Sequence, residues 1–281
     1  MLNNLPITRM KISIAKVLYK LVIPFYGKKS RVIKRNGINY EVDLSEGIDL
    51  SLFLFGNFQK HVTNNKFLKL PLDATILDVG GNFGMMALQF AKNAPNGEVI
   101  SFEPTHYAIS KFERNLELNP DLKNHIIIVN SFVSSESKTN ADIKAFSSWK
   151  VSGEKKTIDQ HPVHLGTPKS TEGVGSITLD EYSVKNKLNK VDLIKIDTDG
   201  HEFMVLNGAK ACMTQFRPKV IFEVGQYVMK EKNIDFSFYI DYFNKFNYKL
   251  VDSESGKLLT TKNHNNIIPE LGTIDIIALP N

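Results

Sequence analysis

The feature that most constrains the fold is an apolar strand that runs into a glycine-rich turn and then into a helix. Residues 76–79 are apolar apart from Asp78, and Gly80, Gly81, Asn82, Phe83 and Gly84 follow them. In open α/β sheets, ligands bind at the carboxyl ends of strands, and glycines there let the backbone approach a ligand without a Cβ in the way. This segment predicts a Rossmann-like sheet with a nucleotide-type cofactor at the turn.

Apolar runs and helical patterns alternate along the rest of the chain. Near-continuous apolar strands separated by helices predict a mostly parallel sheet covered on both faces. The predicted strands are residues 74–79, 98–102, 126–129, 191–196, 219–224, 248–251 and 274–279. The main predicted helices are residues 84–93, 106–118, 202–213 and 236–246. The expected fold is α/β and Rossmann-like, with seven strands, an antiparallel edge strand and an N-terminal helical and hairpin extension.

The chain divides into two predicted regions. Residues 1–70 are expected to form a basic helix, a hairpin and a lid-like extension, and residues 71–281 the cofactor-binding domain. Asn36-Gly37 separates two short alternating runs, which is a strong hairpin signal. Residues 134–175 are polar and too long for a plain connection, so they are interpreted as extra strands and a substrate-side insertion.

Positive charge is concentrated at the N-terminus. Of 35 Lys and Arg residues, nine lie in residues 1–40 beside no acid, so the remaining 26 bases against 30 acids leave about −4. This distribution argues against a nucleic-acid-binding body. The apolar stripe of Ile14, Val17, Leu18, Leu21 and Val22 predicts a helix. That helix either packs on the domain or a partner subunit, or rests on an anionic membrane surface.

Other features of the composition limit the expected location of the protein and the kinds of site it can contain. Lysines interrupt the apolar run of the leader, so it predicts neither a membrane span nor a secretory signal. The single cysteine, Cys212, excludes an intramolecular disulfide framework and a Cys-rich zinc site, and it is interpreted as a core residue. A cytoplasmic location, with or without membrane association, is the expectation, and a homo-oligomer is compatible with it.

The second predicted strand supplies a ribose partner. It ends at Glu103, 25 residues after Asp78, and an acid at that position accepts both hydroxyls of a ribose. A dinucleotide turn needs glycines at positions 0, 2 and 5, but counting from Gly80 this chain has Asn82 and Met85 there. The pattern therefore favours a cofactor without pyrophosphate. Asn130 and Ser131 end the third strand, where they either contact an adenine edge or are simply polar residues leaving a strand. The predicted cofactor-binding residues are Asp78, Gly80, Gly81, Asn82, Gly84, Glu103, Asn130 and Ser131.

Several segments together resemble the FkbM family of methyltransferases. The most specific is the box Lys195-Ile196-Asp197-Thr198-Asp199-Gly200-His201-Glu202. The other matching segments are residues 43–49, 55–56, 78–84, 102–104, 176–180 and 218–223. The resemblance spans roughly residues 35–280 and implies a class I methyltransferase fold, S-adenosylmethionine as cofactor and O-methylation of sugars or natural-product hydroxyls, as in polysaccharide biosynthesis.

Methyl transfer to a hydroxyl needs a base near the carboxyl ends of the fourth and fifth strands. His201 is the favoured base because its reference pKa of about 6.5 suits proton acceptance near neutrality, and Asp197 and Asp199 are the alternatives. Glu223, at the end of the fifth strand, and Trp149, in the polar insertion, are expected on the acceptor side. Glu202 and Asp180 are expected to cap helices. Asp197, Asp199 and His201 could instead hold a divalent cation, which is not favoured.

Two other functions remain open at this stage. One is an NAD(P)-dependent oxidoreductase on a related sheet, and the other is a non-catalytic binding module that keeps the methyltransferase fold. The acceptor is expected to be a small molecule or a glycan rather than a nucleic acid. Phe53, Phe55 and Phe58 are interpreted as core residues, although with Trp149 they could line an acceptor site.

Overall fold

A seven-stranded sheet forms the centre of the molecule. The structure, a computed structural model, describes residues 8–26, 29–56, 59–141, 143, 145–147, 150, 151 and 166–281. The strands of these ranges are β1 (Ser30–Arg35), β2 (Ile38–Asp43), β3 (Thr75–Val79), β4 (Glu98–Phe102), β5 (Ile126–Val129), β6 (Phe132–Val133), β7 (Ala145–Ser147), β8 (Thr167–Lys169), β9 (Ser176–Ile177), β10 (Leu193–Ile196), β11 (Lys219–Gly225), β12 (Tyr248–Asp252) and β13 (Thr273–Pro280). The order in the large sheet is β12-β13-β11-β10-β3-β4-β5.

The mostly parallel seven-stranded sheet predicted from the sequence is confirmed, and its antiparallel strand lies one place in from the edge. β13 pairs antiparallel with both β11 and β12. Ile276, Ile277 and Ala278 of β13 are fully buried, whereas Lys249 of β12 is exposed. The more apolar strand therefore takes the inner position, and β12 takes the edge.

Helices cover both faces of the sheet, as the continuous apolar strands predicted. The helices are α1 (Thr8–Tyr26), α2 (Gly47–Phe55), α3 (Lys60–Thr63), α4 (Met85–Asn93), α5 (His106–Glu117), α6 (Pro120–Lys123), α7 (Leu179–Lys185), α8 (Glu202–Asn207), α9 (Lys210–Gln215), α10 (Gln226–Glu231), α11 (Ser237–Lys245) and α12 (His264–Ile267). Neighbouring strand residues point to opposite faces: Ile76 and Leu193 belong to one core, and Leu77 and Ile194 to the other. Burial on both sides explains why these strands lack polar alternation.

The N-terminal extension packs on the face that carries α4. The predicted hairpin is present: β1 and β2 pair antiparallel, and Asn36 and Gly37 have φ of 50° and 78°. Positive φ at both central residues is what a two-residue hairpin turn requires. Tyr40 and Val42 of β2 are at most 1% exposed and lie in the same core as Phe90 of α4. The extension is therefore joined to the domain by a shared core.

Two extra strands, β7 and β8, lie within the polar stretch of residues 134–175, and two more, β6 and β9, flank it. β7 pairs antiparallel with β8, and β6 pairs parallel with β9. Trp149 and Phe58 lie outside the described residues, so the acceptor-side role suggested for Trp149 stays a prediction. Within the described part of the chain, no helix has both the length and the apolar character needed to cross a bilayer.

Candidate functional site

The glycine turn after β3 is held against the end of β4. The backbone N–H groups of Gly80 and Gly81 both donate to the carbonyl of Phe102, at 3.0 Å. Gly80 has φ of 82°, and a Cβ on it would lie 1.9 Å from the backbone oxygen of Asp197. Asn82, the polar residue of the turn, has φ of 49°. The β10 loop thus leaves no space for a side chain at Gly80, which explains why glycine is required there.

A buried ion pair lies beneath this turn. Asp78 is fully buried, its Oδ2 accepts a 2.8 Å hydrogen bond from the Ser101 hydroxyl, and its Oδ1 lies 3.1 Å from Nζ of Lys195. Nζ also donates to the carbonyl of Gly80, at 2.8 Å. Burial opposes the charge of Lys195, but the carboxylates of Asp78 and Asp197 raise its pKa. The sequence marked Asp78 as a cofactor residue; in the structure its side chain braces the turn from below.

Glu103 stands at the end of β4 beside the turn. Its Oε2 accepts from the Asn82 N–H at 2.9 Å, and its Oε1 accepts from the N–H and the hydroxyl of Thr105 at 2.9 and 2.6 Å. Burial raises the pKa of Glu103, and these hydrogen bonds oppose that rise. A carboxylate oxygen accepts about two hydrogen bonds, so Oε2 keeps capacity for a further donor. This is the chemistry expected of a ribose-binding acid.

The predicted adenine-edge residues lie next to this acid. Asn130 donates from Nδ2 to the carbonyls of Glu103 and Pro104, both at 3.0 Å. Ser131 donates from its hydroxyl to the carbonyls of Phe132 and Gly175. Asn130 therefore fixes the backbone that carries Glu103, and direct contact of either residue with an adenine stays a prediction.

Carboxylates crowd the neighbouring strand ends. Asp197 follows β10, Glu223 lies on β11, and Asp275 pairs with Glu223 in the β11–β13 ladder. Burial raises the pKa of Glu223 well above its usual range, and the charges of Asp197 and Asp275 add to the rise. Thr273 donates to Glu223 at 2.7 Å. The structure therefore brings carboxylates together at these strand ends, as the sequence suggested. Asp275 also belongs to this group, and the sequence alone did not identify it.

Asp197 and Asp199 lie in the loop that follows β10, beside these carboxylates. Burial raises the pKa of Asp197, Lys195 opposes the rise, and Asp275 adds to it. Asp199 is exposed to solvent, yet enclosure by surrounding protein atoms and the charges of Asp197 and Glu202 raise its pKa too. Solvent contact screens Asp199, so the shift is smaller than full burial would give. Both carboxylates are thus better proton acceptors near neutrality than ordinary aspartates.

His201 is engaged at both ring nitrogens. Nδ1 lies 3.1 Å from the carbonyl of Thr198, so it is the protonated nitrogen, and Nε2 lies 3.2 Å from Nζ of Lys232, which caps the C-terminus of α10. Burial and the charge of Lys232 lower the pKa of His201. His201 can accept a proton only after the contact with Lys232 breaks. Its role as the base stays a prediction, and it requires Nε2 to be released from Lys232 first.

Two carboxylates expected to cap helices have different roles. Asp180 accepts from the N–H groups of Ala211 and Cys212 at 3.0 and 2.8 Å, so it caps α9. Glu202 instead accepts from the N–H and hydroxyl of Thr198 at 3.0 Å and from the N–H of Gly200 at 3.2 Å. Glu202 is buried and fixes the loop that carries Asp197 and Asp199. Among the described residues, no group of three or more His, Cys, Asp or Glu side chains is placed to hold a metal ion.

The extension reaches this end of the sheet through α3 and the residues beside it. Nε2 of His61 lies 2.5 Å from Oδ2 of Asp275, and Nδ1 lies 4.0 Å from Glu254. Gln59, which precedes α3, hydrogen-bonds to Asp197. Asn65 donates to the carbonyl of Ser253 at 2.9 Å. We call these contacts of residues 59–65 the clamp; the sequence did not predict them, and the lid-like role expected of residues 1–70 stays a prediction.

The clamp should depend on pH. Burial alone would lower the pKa of His61, but the hydrogen bond and charge of Asp275 outweigh burial and raise it. A raised folded-state pKa contributes stability that is fully present below the ordinary value of about 6.5 and is lost as pH rises through the folded value. We expect His61→Gln to lower the free energy of unfolding by about 1–2 kcal/mol at acidic pH and by less at alkaline pH, in urea titrations.

The exposed His106, at the start of α5, supplies the matched control. His106→Gln should change the free energy of unfolding little at either pH. An equal loss for His61→Gln at both pH values would mean that the protonated imidazole does not contribute to the clamp.

A family model described as the methyltransferase FkbM domain matches residues 78–250. Methyltransferase 1 of Beauveria bassiana (strain ARSEF 2860) is 26% identical over 157 residues, which are 49% of this chain and 59% of that protein. Methyltransferase sdnD of Sordaria araneosa is 28% identical over 161 residues, which are 50% of this chain and 61% of that protein. The matches thus span about six tenths of the length of these relatives.

Two further matches cover smaller shares of the compared proteins. The AMB antimetabolite synthetase AmbE of Pseudomonas aeruginosa is 39% identical over 62 residues, which are 22% of this chain and 3% of that protein. The crystal structure of a methyltransferase FkbM from Methylobacillus flagellatus KT is 14% identical with a TM-score of 0.49, covering 77% of this chain and 47% of that one.

Proposed function

The chain belongs to the FkbM family of methyltransferases, and within that family we propose that it transfers a methyl group from S-adenosylmethionine to a hydroxyl oxygen of a sugar, glycan or natural-product acceptor. The methyltransferase family rests on the match over residues 78–250. The seven-stranded sheet agrees with the class I fold of such enzymes. The cofactor, the oxygen acceptor and the class of acceptor are the parts proposed.

The observation that carries the proposal is the acid-rich strand end around a glycine turn. The carboxylates of Asp197, Glu223 and Asp275 lie close together: the charge of Asp275 raises the pKa of Asp197, and the charges of Asp197 and Asp275 raise that of Glu223. A sulfonium cofactor brings positive charge, which these carboxylates attract, whereas a dinucleotide brings an anionic pyrophosphate, which they repel. The same charge pattern and the glycine spacing both disfavour the NAD(P)-dependent alternative.

The residues present fit the proposed cofactor. Glu103 is the acid that would take the ribose hydroxyls, because it is buried and Oε2 retains accepting capacity. The turn from Gly80 to Asn82, braced by Asp78, would lie against the amino-acid part. Asn130 and Ser131 would face the base. When bound, S-adenosylmethionine supplies a methyl group on a sulfonium, whose carbon–sulfur bond breaks as the acceptor oxygen bonds to that carbon.

The chain must also take the acceptor's proton. Asp199 has a raised pKa, is reached by solvent and sits on a loop that Glu202 holds in place. Such a carboxylate accepts a proton more readily near neutral pH than an ordinary aspartate. His201 is the competing base and would first have to release Lys232. Glu223 is suited to binding acceptor hydroxyls, since Thr273 already donates to it.

Two matched variants decide between these bases. With isotopically labelled S-adenosylmethionine and a panel of sugar, lipid-linked glycan and natural-product hydroxyl acceptors, Asp199→Asn should lower kcat by about 100-fold. His201→Gln should lower kcat by less than tenfold, because its lone pair is already directed at Lys232. Both variants should bind S-adenosylhomocysteine like the wild type in calorimetry.

The opposite ranking of the two variants would make His201 the base and contradict the role proposed for Asp199. Tight S-adenosylhomocysteine binding by the wild type, with no labelled product from any acceptor in the panel, would favour a non-catalytic binding module over the proposed methyl transfer. No binding of S-adenosylhomocysteine at all would contradict the cofactor.

A further inference from the structure

One face of α1 attaches the helix to the domain. Ala15 is 2% exposed and belongs to the core under the extension, and Tyr19 and Ile23 pack against the same core. These residues are spaced at i, i+4 and i+8, which places them on one side of an α-helix. The helix is therefore held in a defined orientation, and this packing determines which of its faces points away from the domain.

The opposite face of α1 is apolar and exposed. Its residues are Ile14, Val17, Leu21 and Phe25, which are 38%, 59%, 60% and 85% exposed. At 3.6 residues per turn they form a single stripe, roughly 150° around the helix from the packed face. We name these four residues the α1 stripe. An isolated exposed apolar side chain is ordinary, but four aligned on one helix mark an interaction surface.

Basic residues flank the α1 stripe. Lys16 and Lys20 are exposed on the helix between the packed face and the stripe, and Lys29 is exposed just beyond its end. Residues 1–40 contain nine Lys or Arg and no Asp or Glu, while the rest of the chain sums to about −4. The excess of positive charge therefore lies in the same N-terminal segment as the α1 stripe.

We propose that α1 lies flat on the surface of an anionic lipid bilayer, with the α1 stripe in the acyl boundary and the flanking lysines at lipid phosphates. A helix with an apolar face and Lys on its polar flank binds in the plane of such an interface. The 19 residues of α1 do not make a membrane-crossing helix, which agrees with lying on the surface rather than spanning it.

Charge distinguishes this occupant from a second copy of the chain. Two copies joined through their α1 stripes would bring Lys16 and Lys20 of both helices together, and like charges in contact destabilise an interface. An anionic bilayer instead supplies apolar depth for the stripe and negative charge for its flanks. An anionic bilayer therefore accommodates both the apolar stripe and the flanking lysines, and a second copy of the chain does not.

Flotation of the full-length chain with lipid vesicles tests the proposal. The wild type should bind vesicles of equal parts phosphatidylcholine and phosphatidylserine, bind pure phosphatidylcholine far less, and be released by high salt. Lys16→Gln with Lys20→Gln should weaken binding about thirtyfold, on about 1 kcal/mol per basic residue at an anionic surface. Val17→Asp with Leu21→Asp should weaken it at least tenfold.

The chain offers a matched control. Val184 and Leu271 are 77% and 51% exposed on other parts of the surface, so Val184→Asp with Leu271→Asp makes the same chemical change elsewhere. This control should bind vesicles like the wild type. All substituted residues are exposed, and an unchanged thermal unfolding midpoint would show that each variant is folded.

Three results would overturn the proposal. The first is equal binding of the wild type to neutral and anionic vesicles. The second is wild-type binding by the Val17→Asp, Leu21→Asp variant. The third is no vesicle binding by a chain that sedimentation shows to be dimeric and that becomes monomeric on the same substitutions, which would assign the α1 stripe to a second copy. Vesicle binding and methyl transfer are measured separately, so failure of one does not decide the other.

Discussion

Glu103→Ala is expected to weaken binding of S-adenosylhomocysteine by roughly 10- to 100-fold, because it removes a hydrogen bond from a ribose hydroxyl to the charged acceptor Oε2, which contributes about 1.5–3 kcal/mol. The carboxylate is buried at the end of β4, where, within the described part of the chain, the Asn82 N–H is the one donor to Oε2. Calorimetry with the purified protein measures the loss directly. A ribose that binds elsewhere would leave the affinity unchanged.

The same strand provides the control for Glu103. Glu98 is the first residue of β4, at the amino end of the strand opposite Glu103, and is half-buried. Glu98→Gln should leave S-adenosylhomocysteine affinity within about threefold of the wild type, since it lies far from the carboxyl ends where ligands bind. Glu103→Gln should fall between the two, because an amide oxygen still accepts but carries no charge. Unchanged affinity in both Glu103→Ala and Asp78→Ala would contradict the cofactor assignment.

The strands could be predicted closely because each apolar run is bounded by turn residues. The strand predicted at residues 98–102 coincides with β4, and the one predicted at 219–224 differs from β11 by a single residue. The strand end at Glu103 and the turn at Gly80 followed from this, since a strand that ends in a turn places its last side chain at the ligand edge. Local sequence was therefore sufficient to predict where the glycine turn and Glu103 lie in the candidate site.

Long-range contacts were beyond the same reasoning. His61 and Asp275 are 214 positions apart, and neither belongs to a motif that would pair them. Lys195 was noticed only as part of the FkbM-like box, and its ion pair with Asp78 depends on the pairing of β3 with β10. Strand order decides such contacts, and a single sequence does not specify it. The contacts beneath the glycine turn and around the acid-rich strand ends were accordingly the least predictable part of the candidate site.

The helix predicted at residues 202–213 shows how a tertiary contact overrides periodicity. The structure has two helices there, α8 and α9, divided at Gly208. The carbonyl of Gly208 accepts from the N–H of Asp180, and a Cβ on Gly208 would lie 2.1 Å from the carbonyl oxygen of Ser134. Asp180 then caps α9. The close approach of a neighbouring loop, which the helical pattern does not reveal, interrupts the helix.

Lys195→Met is expected to lower the free energy of unfolding by about 3–5 kcal/mol, because it leaves the carboxylate of Asp78 buried without its partner. Asp78 is fully buried and Lys195 nearly so, and the ammonium is also the donor to the carbonyl of Gly80. Urea titration measures the loss. The cofactor turn should loosen as well, since that hydrogen bond joins it to β10.

The exposed ion pair of Lys190 with Asp73 shows what burial adds. Their atoms lie 2.6 Å apart, closer than Lys195 and Asp78, but the side chains are 42% and 63% exposed. Lys190→Met should therefore cost at most about 1 kcal/mol, the usual value of a surface pair. Adding Asp78→Asn to Lys195→Met should recover part of the lost free energy, because no unpaired buried charge then remains. Equal losses for Lys190→Met and Lys195→Met would show that the buried pair does not brace the turn, and the position of Asp78 would then need another cause.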